Sequence, residues 1–122
     1  CRGTRQKFSH SGTPQTRYET LRRKYTNCTY IEGNLEIVFL IDLSIKYDFS
    51  FLETIKEITG YVLIVHVYAD YIPLTNLQII RGRELLEVDD QHYSLYVANN
   101  YDETYKKIGL KELRFKSLGG KP

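Results

Sequence analysis

Two glycines, Gly33 and Gly60, each introduce a run of β-branched and aromatic residues, and they stand 27 positions apart. The runs are Leu35-Glu36-Ile37-Val38-Phe39-Leu40 and Tyr61-Val62-Leu63-Ile64-Val65-His66-Val67, the residue types that strands prefer. Between them lies Phe51-Leu52-x-x-Ile55-x-x-Ile58, which returns 22 positions later as Leu74-x-x-Leu77-x-x-Ile80. A third partial copy opens at Leu110-x-x-Leu113, and an extended segment, Tyr93 to Ala98, follows the second copy as Tyr61 to Val67 follows the first. Self-similarity at this period marks a solenoid, in which each turn of chain buries its apolar side against the next. Leucine and isoleucine at three-residue spacing also suit short helices. Here the run is about seven residues long and leads straight into a strand, which favours a coil with strands stacked in parallel ladders. A four-stranded sandwich is the alternative that the pattern alone leaves open.

The N-terminal third has a different texture. Residues 1–12 read as an irregular arm rich in glycine, serine and basic side chains. Thr13 is a helix cap and Pro14 occupies the first helical position, where its missing N–H costs nothing. Tyr18, Leu21 and Tyr25 then recur on one face, which predicts a helix over about 14–25 that ends near Asn27. Cys1 and Cys28 are the only cysteines. Without C-x-x-C spacing they make a poor zinc site, and His10, His66 and His92 are too scattered to complete one. A Cys1–Cys28 disulfide is the better reading; it implies an oxidising compartment and about 3–4 kcal/mol from loop closure. Asn27-Cys28-Thr29 is an N-glycosylation sequon, so Asn27 is a candidate glycan site and the two signals together point outside the cell.

Composition excludes several function classes. A net charge of +2 in 122 residues is too mild to indicate nucleic acid or an anionic membrane as partner. The longest apolar run, Tyr61 to Val67, is far short of the roughly 20 residues a membrane span needs. No serine or cysteine sits in a nucleophile elbow. The Gly-rich phosphate loop, His-Arg-Asp and Asp-Phe-Gly of phosphoryl transfer are absent as well. The chain therefore reads as a non-enzyme with no metal and no cofactor.

Several runs carry a family resemblance. Cys1-x-Gly3-Thr4, Gly12-Thr13, Tyr25-x-Asn27-Cys28 and Gly33-Asn34-Leu35-Glu36-Ile37 resemble the opening of the first L domain of the epidermal growth factor receptor family. The likeness continues through Phe49-Ser50-Phe51-Leu52-x-Thr54-Ile55-x-Glu57-Ile58-x-Gly60-Tyr61-Val62-Leu63-Ile64. It then takes in Ile72-Pro73-Leu74-x-Asn76-Leu77-Gln78-Ile79-Ile80-Arg81-Gly82 and Gly109-Leu110-Lys111-Glu112-Leu113. It covers Cys1 to about Leu113, with a few extra residues near Leu43–Lys46 and Asp89–His92. The resemblance implies a right-handed β-helix of the α/β class, a leucine-rich-repeat-like solenoid with an N-terminal capping helix. In that frame residues 1–122 are one receptor L domain, with the arm at 1–12, the capping helix at about 14–25 and coils at about 33–118, and without its final coil and second cysteine pair.

The function implied is an extracellular growth-factor-binding lobe of a receptor tyrosine kinase, contributing to ligand capture and receptor activation. Its partners would be an epidermal growth factor-like protein, the rest of the receptor ectodomain and a second receptor. It would reach the plasma membrane only through its parent, with no direct membrane contact. Two alternatives stand beside this: a soluble, secreted decoy or regulator of the same pathway, and an L domain of the insulin-receptor type, with which the Gly60–Ile64 and Gln78–Gly82 runs are shared. By resemblance, ligand contact falls to Phe8, His10 and Gly12 on the arm, which would pair edge-on with a strand of the growth factor. On the coil it falls to Phe39, His66, Ala98 and Asn99, with Glu87 nearby. Phe39 and His66 each lie six residues beyond their glycine, so they are expected in equivalent places on successive coils. The family has large aliphatic side chains where His66 and Ala98 stand, which makes the expected pocket more polar at one position and shallower at the other.

Overall fold

The computed structural model describes residues 1–5, 12–42, 44–69, 71–98 and 112–115. Helix α1 spans Pro14–Tyr25. The Thr13 hydroxyl accepts from the Thr16 amide at 3.2 Å and the Thr13 amide donates to the Thr16 hydroxyl at 2.9 Å, a reciprocal cap with threonine in place of the usual glutamate. Arg22, Arg23 and Lys24 fill the last turn, where positive charge suits the helix dipole. Asn27, at φ 64°, then turns the chain back, and Cys28 joins Cys1 in a disulfide. Tyr18, Leu21 and Tyr25 form the buried face. Tyr18 meets Tyr47 and Phe49 edge-on at 5.2 and 5.9 Å, and its hydroxyl donates to the Asp48 carbonyl at 2.9 Å.

After the helix come β1 (Tyr30–Ile31), β2 (Leu35–Leu40), a 3-10 turn (Ser50–Thr54), β3 (Glu57–Ile58), β4 (Val62–Val67) and β5 (Tyr71–Leu74). They are followed by β6 (Ile79–Ile80), β7 (Leu86–Val88), β8 (Gln91–Tyr93), β9 (Leu95–Ala98) and β10 (Glu112–Phe115). The long-range pairing is parallel: β1-β3-β6, β2-β4-β9 and β5-β10. The repeat offsets read from the sequence reappear as hydrogen bonds. Gly60 N donates to Gly33 O at 2.8 Å, a step of 27, and Gly82 N donates to Gly60 O at 3.0 Å, a step of 22. Ile31, Ile58 and Ile80 are in register across the two-residue strands and all are buried. The column has an earlier member that the repeat did not reveal. Tyr25, Cys28 and Ile31 are spaced like Leu52, Ile55 and Ile58, and all six are buried, so the helix end and the disulfide cap the stack.

Apart from α1, the described elements are strands and one 3-10 turn, so the architecture is mainly β with a single α-helix. Among the described residues, the three-spaced leucines and isoleucines are carried by the 3-10 segment, loops and short strands rather than by an α-helix. β2 and β4 lie buried on both faces, as parallel strands usually do. Leu35, Ile37, Leu40, Val62, Ile64 and Val67 face the main core, while Val38, Leu63 and Val65 form a second cluster on the outer face. The cover for that outer face is the β7–β8 hairpin, whose Leu86 is fully buried against it. Asp89 and Asp90, both at positive φ, make its two-residue turn, the geometry that matches the twist of the paired strands. The extended segment 93–98 is thus divided: Tyr93 closes the hairpin, and Leu95–Ala98 pair with β4.

Candidate functional site: an aromatic ledge beside the N-terminal arm

At the far end of β2 and β4 the ladder skips one residue on each strand: Val38 pairs Val65 and Leu40 pairs Val67. The skipped residues, Phe39 and His66, both take the left-handed conformation, at φ 55° and 56°. A left-handed residue within a strand turns its side chain out of the regular alternation. The two rings consequently lie nearly parallel, with centroids 5.2 Å apart and planes 16° from parallel. Both are half-buried, whereas Val38 and Val65 just before them are buried beneath the hairpin. The left-handed region costs an L residue with a Cβ about 1–2 kcal/mol, so two such residues in one column form a shaped, strained ledge.

Arg17, on the half-buried flank of α1, reaches this ledge. One guanidinium nitrogen donates to the Phe39 carbonyl at 2.8 Å and the other to the Gly12 carbonyl at 2.8 Å. Two of the expected ligand residues, Gly12 and Phe39, are thereby joined through one side chain, and a third, His66, stacks on Phe39. Arg17 is not among the residues that the sequence marks for this site. Nothing in its spacing could have pointed to its targets, because backbone carbonyls carry no residue signature.

The start of the arm is held separately. Gly3 N donates to Glu32 O at 2.9 Å and Thr4 N to Asn34 O at 3.0 Å. The Asn34 amide donates to Thr4 O at 2.9 Å and to Glu84 at 3.1 Å, and its oxygen accepts from Tyr61 N at 2.9 Å. The Thr4 hydroxyl and the Tyr61 hydroxyl both donate to the buried Glu36 carboxylate. Burial, and then the Glu36 contact, push the Tyr61 hydroxyl well above the ordinary tyrosine range. A cleft of about 570 Å³ opens beside this end of the arm, lined by Arg2, Arg5, Glu32, Arg83 and Glu84 among others; it holds none of the expected ligand residues.

The remaining expected residues fall in different places. Ala98 is in register with Val65, one step before the ledge, and is half-buried. Glu87 is exposed, opposite His92, on the side of the hairpin away from buried Leu86. Phe8, His10 and Asn99 lie outside the described residues. Asn27, the sequon asparagine, is exposed.

Comparison with known proteins gives this arrangement a class. The Receptor L domain family model matches residues 27–120. The chain is 41% identical over 115 residues to the epidermal growth factor receptor of Drosophila melanogaster, covering 93% of the chain and 8% of the relative. It is 42% identical over 118 residues to the epidermal growth factor receptor of Gallus gallus, covering 97% of the chain and 16% of the relative. Against the Homo sapiens receptor tyrosine-protein kinase erbB-4 it is 40% identical over 118 residues, with 97% and 8% covered. The chain belongs to the epidermal growth factor receptor family, as a receptor L domain. It spans at most about one sixth of the length of these relatives.

Proposed function

We propose that this chain is the growth-factor-binding lobe of an epidermal growth factor receptor-type tyrosine kinase and stands on the outer side of the cell surface. The observation that carries the reading is the Phe39–His66 stack, with its 5.2 Å ring separation on a pair of left-handed residues. Strain of this kind, kept at the rim of a rigid ladder with the rings half-exposed, suits a preformed binding ledge better than a core. An aromatic pair also brings large contact area with few rotatable bonds. On this reading the parallel ladders are sides of one right-handed coil, and the arm offers its backbone edge to a strand of the ligand. Phe8, His10, Gly12, Ala98, Asn99 and Glu87 are the further contacts, and Asn27 carries a glycan pointing away from the core. The kinase and the second receptor that completes signalling belong to the parent molecule.

The test is surface plasmon resonance of epidermal growth factor over the immobilised chain, with Phe39→Ala and His66→Ala beside the wild type. Saturable binding that Phe39→Ala weakens about tenfold or more, the scale of an aromatic hot spot, is the expected result. Binding unchanged in both variants would remove the ledge from the ligand site. No binding by a folded wild-type chain would remove this lobe as an autonomous receptor site.

A further inference from the structure

A modification signal and a disulfide share one residue. Asn27-Cys28-Thr29 is the only glycosylation sequon in the sequence, and its middle residue is the cysteine bonded to Cys1. Asn27 and Thr29 are exposed, whereas Cys28 between them is 2% exposed. Cys28 N donates to Tyr25 O at 3.0 Å, Cys28 O accepts from the Thr54 hydroxyl at 2.6 Å, and Thr29 O accepts from Lys56 N at 2.7 Å. Asn27 itself is held in the left-handed turn that follows the helix, at φ 64°. An enzyme that glycosylates the asparagine reads its amide together with the hydroxyl two residues on, so it must enclose the whole tripeptide. A segment whose central side chain is bonded inward, and whose main chain is paired on both sides, cannot be enclosed without undoing those contacts.

We propose that glycosylation of Asn27 and closure of the Cys1–Cys28 bond compete during synthesis, and that the bond, once formed, shuts the sequon and leaves a fraction of chains without the glycan. This deepens the reading of Asn27 as an extracellular glycan site and rests on it. In one branch Asn27 Nδ2 bonds to C1 of the first sugar of a lipid diphosphate-linked oligosaccharide. The sugar–phosphate C–O bond breaks, the lipid diphosphate leaves, and the amide gives up a proton. In the other branch one cysteine thiolate attacks the disulfide of an oxidised thiol–disulfide exchange protein, and the second thiolate displaces it. The two cysteines lose two protons and two electrons, and the exchange protein leaves as a dithiol. Cys1 precedes the sequon, so both thiols have entered the compartment as soon as the sequon has. Thr54, which clamps Cys28 from downstream, lies 26 residues further on, on the order of 1–5 s of synthesis at roughly 5–20 residues per second. Disulfide formation begins on the scale of seconds, so the bond can close the sequon before the clamp arrives. A chain glycosylated first still closes the bond afterwards, because Asn27 is exposed.

The test is synthesis of the chain, led by a cleavable secretion signal, in cell-free translation with microsomal membranes. One sequon gives one glycan step on a gel, removable by endoglycosidase. All translocated chains are counted, so folding and export do not enter the readout. Cys1→Ser removes the bond and leaves the sequon intact, Cys28→Ser removes it with a different middle residue, and Asn27→Gln is the unglycosylated baseline. Wild type is expected to divide between glycosylated and unglycosylated chains. Cys1→Ser, Cys28→Ser and wild type made with dithiothreitol should each cut the unglycosylated fraction at least about threefold, since the two reactions share the same few seconds. Dithiothreitol should leave Cys1→Ser unchanged. Equal glycosylation of wild type and Cys1→Ser overturns the competition, and so does a fully glycosylated wild type. A gain in Cys28→Ser alone overturns it too, because the identity of the middle residue would then be the cause. Absence of glycan from every form removes Asn27 as a glycan site and the competition with it, while the Phe39–His66 ledge, tested by ligand binding, survives that result.

Discussion

Replacing Asn34 with alanine tests how the first residues of the chain hold together with the starts of β2 and β4. Asn34 is fully buried, and its side chain accepts from Tyr61 N at 2.9 Å and donates to Thr4 O at 2.9 Å and Glu84 at 3.1 Å. Alanine would leave the Tyr61 amide in the interior with no partner, at a cost of about 1–3 kcal/mol. The half-buried Thr4 carbonyl would add about 1 kcal/mol. Glu84 keeps its ion pair with Arg5 at 3.2 Å, so that third bond contributes little. The expected loss is about 3 kcal/mol, a large part of the 5–15 kcal/mol typical of a domain. Asn76 is the matched control: exposed, with one side-chain bond to the Glu53 carbonyl at 2.6 Å, and its alanine variant should lose no more than about 0.5 kcal/mol. The chain has no tryptophan, so equilibrium urea unfolding is best followed by circular dichroism with the disulfide intact. If the midpoints of the two variants match, buried hydrogen-bond satisfaction is not what joins Thr4 to the parallel strands at this position.

Two further outcomes follow from the same region. A Cβ on Gly60 would overlap the Asn34 side-chain oxygen and crowd the Gly33 carbonyl; Gly60→Ala should therefore cost about 2–3 kcal/mol by thermal melting, as over-packing does, and a loss below about 1 kcal/mol would contradict the close stacking of the glycine corner. Burial raises the proton affinity of the Tyr61 and Tyr25 hydroxyls, with the Glu36 charge adding to it. The unfolded chain then loses these protons first, so their contribution is full below about pH 10 and disappears as pH rises towards the folded values. Stability should decline above about pH 10 by up to roughly 1.4 kcal/mol per pH unit for each tyrosine. Tyr61→Phe should make that decline shallower, and stability flat to pH 11 would refute the argument.

Much of the architecture is legible in the chain because strands stacked in parallel at a fixed period bring equivalent positions together. The 27- and 22-residue offsets are the separations at which Gly33, Gly60 and Gly82 hydrogen-bond to one another. The same economy makes Thr13-Pro14 a readable helix start and puts Phe39 and His66 in one column before any coordinates exist. Local patterns of this kind depend on neighbours in sequence or on a regular period, and both are written in the residue order.

What the tertiary structure alone decided depends on partners with no such period. Phe39 and His66 take the left-handed conformation where the ladder skips one residue on each strand before resuming at Leu40 and Val67, and nothing marks a phenylalanine or histidine for that conformation. The hairpin around Asp89-Asp90 shows in the sequence only as extra residues, and its folding back over Val38, Leu63 and Val65 is a packing outcome. Tyr25 and Cys28 join the core column from a helix end rather than from a matching repeat. Arg17 is the clearest case: its position on the helix is set by sequence, but its two partners are main-chain carbonyls, five and 22 residues away. Any residue type could have supplied those carbonyls, so only the folded chain determines where its guanidinium goes.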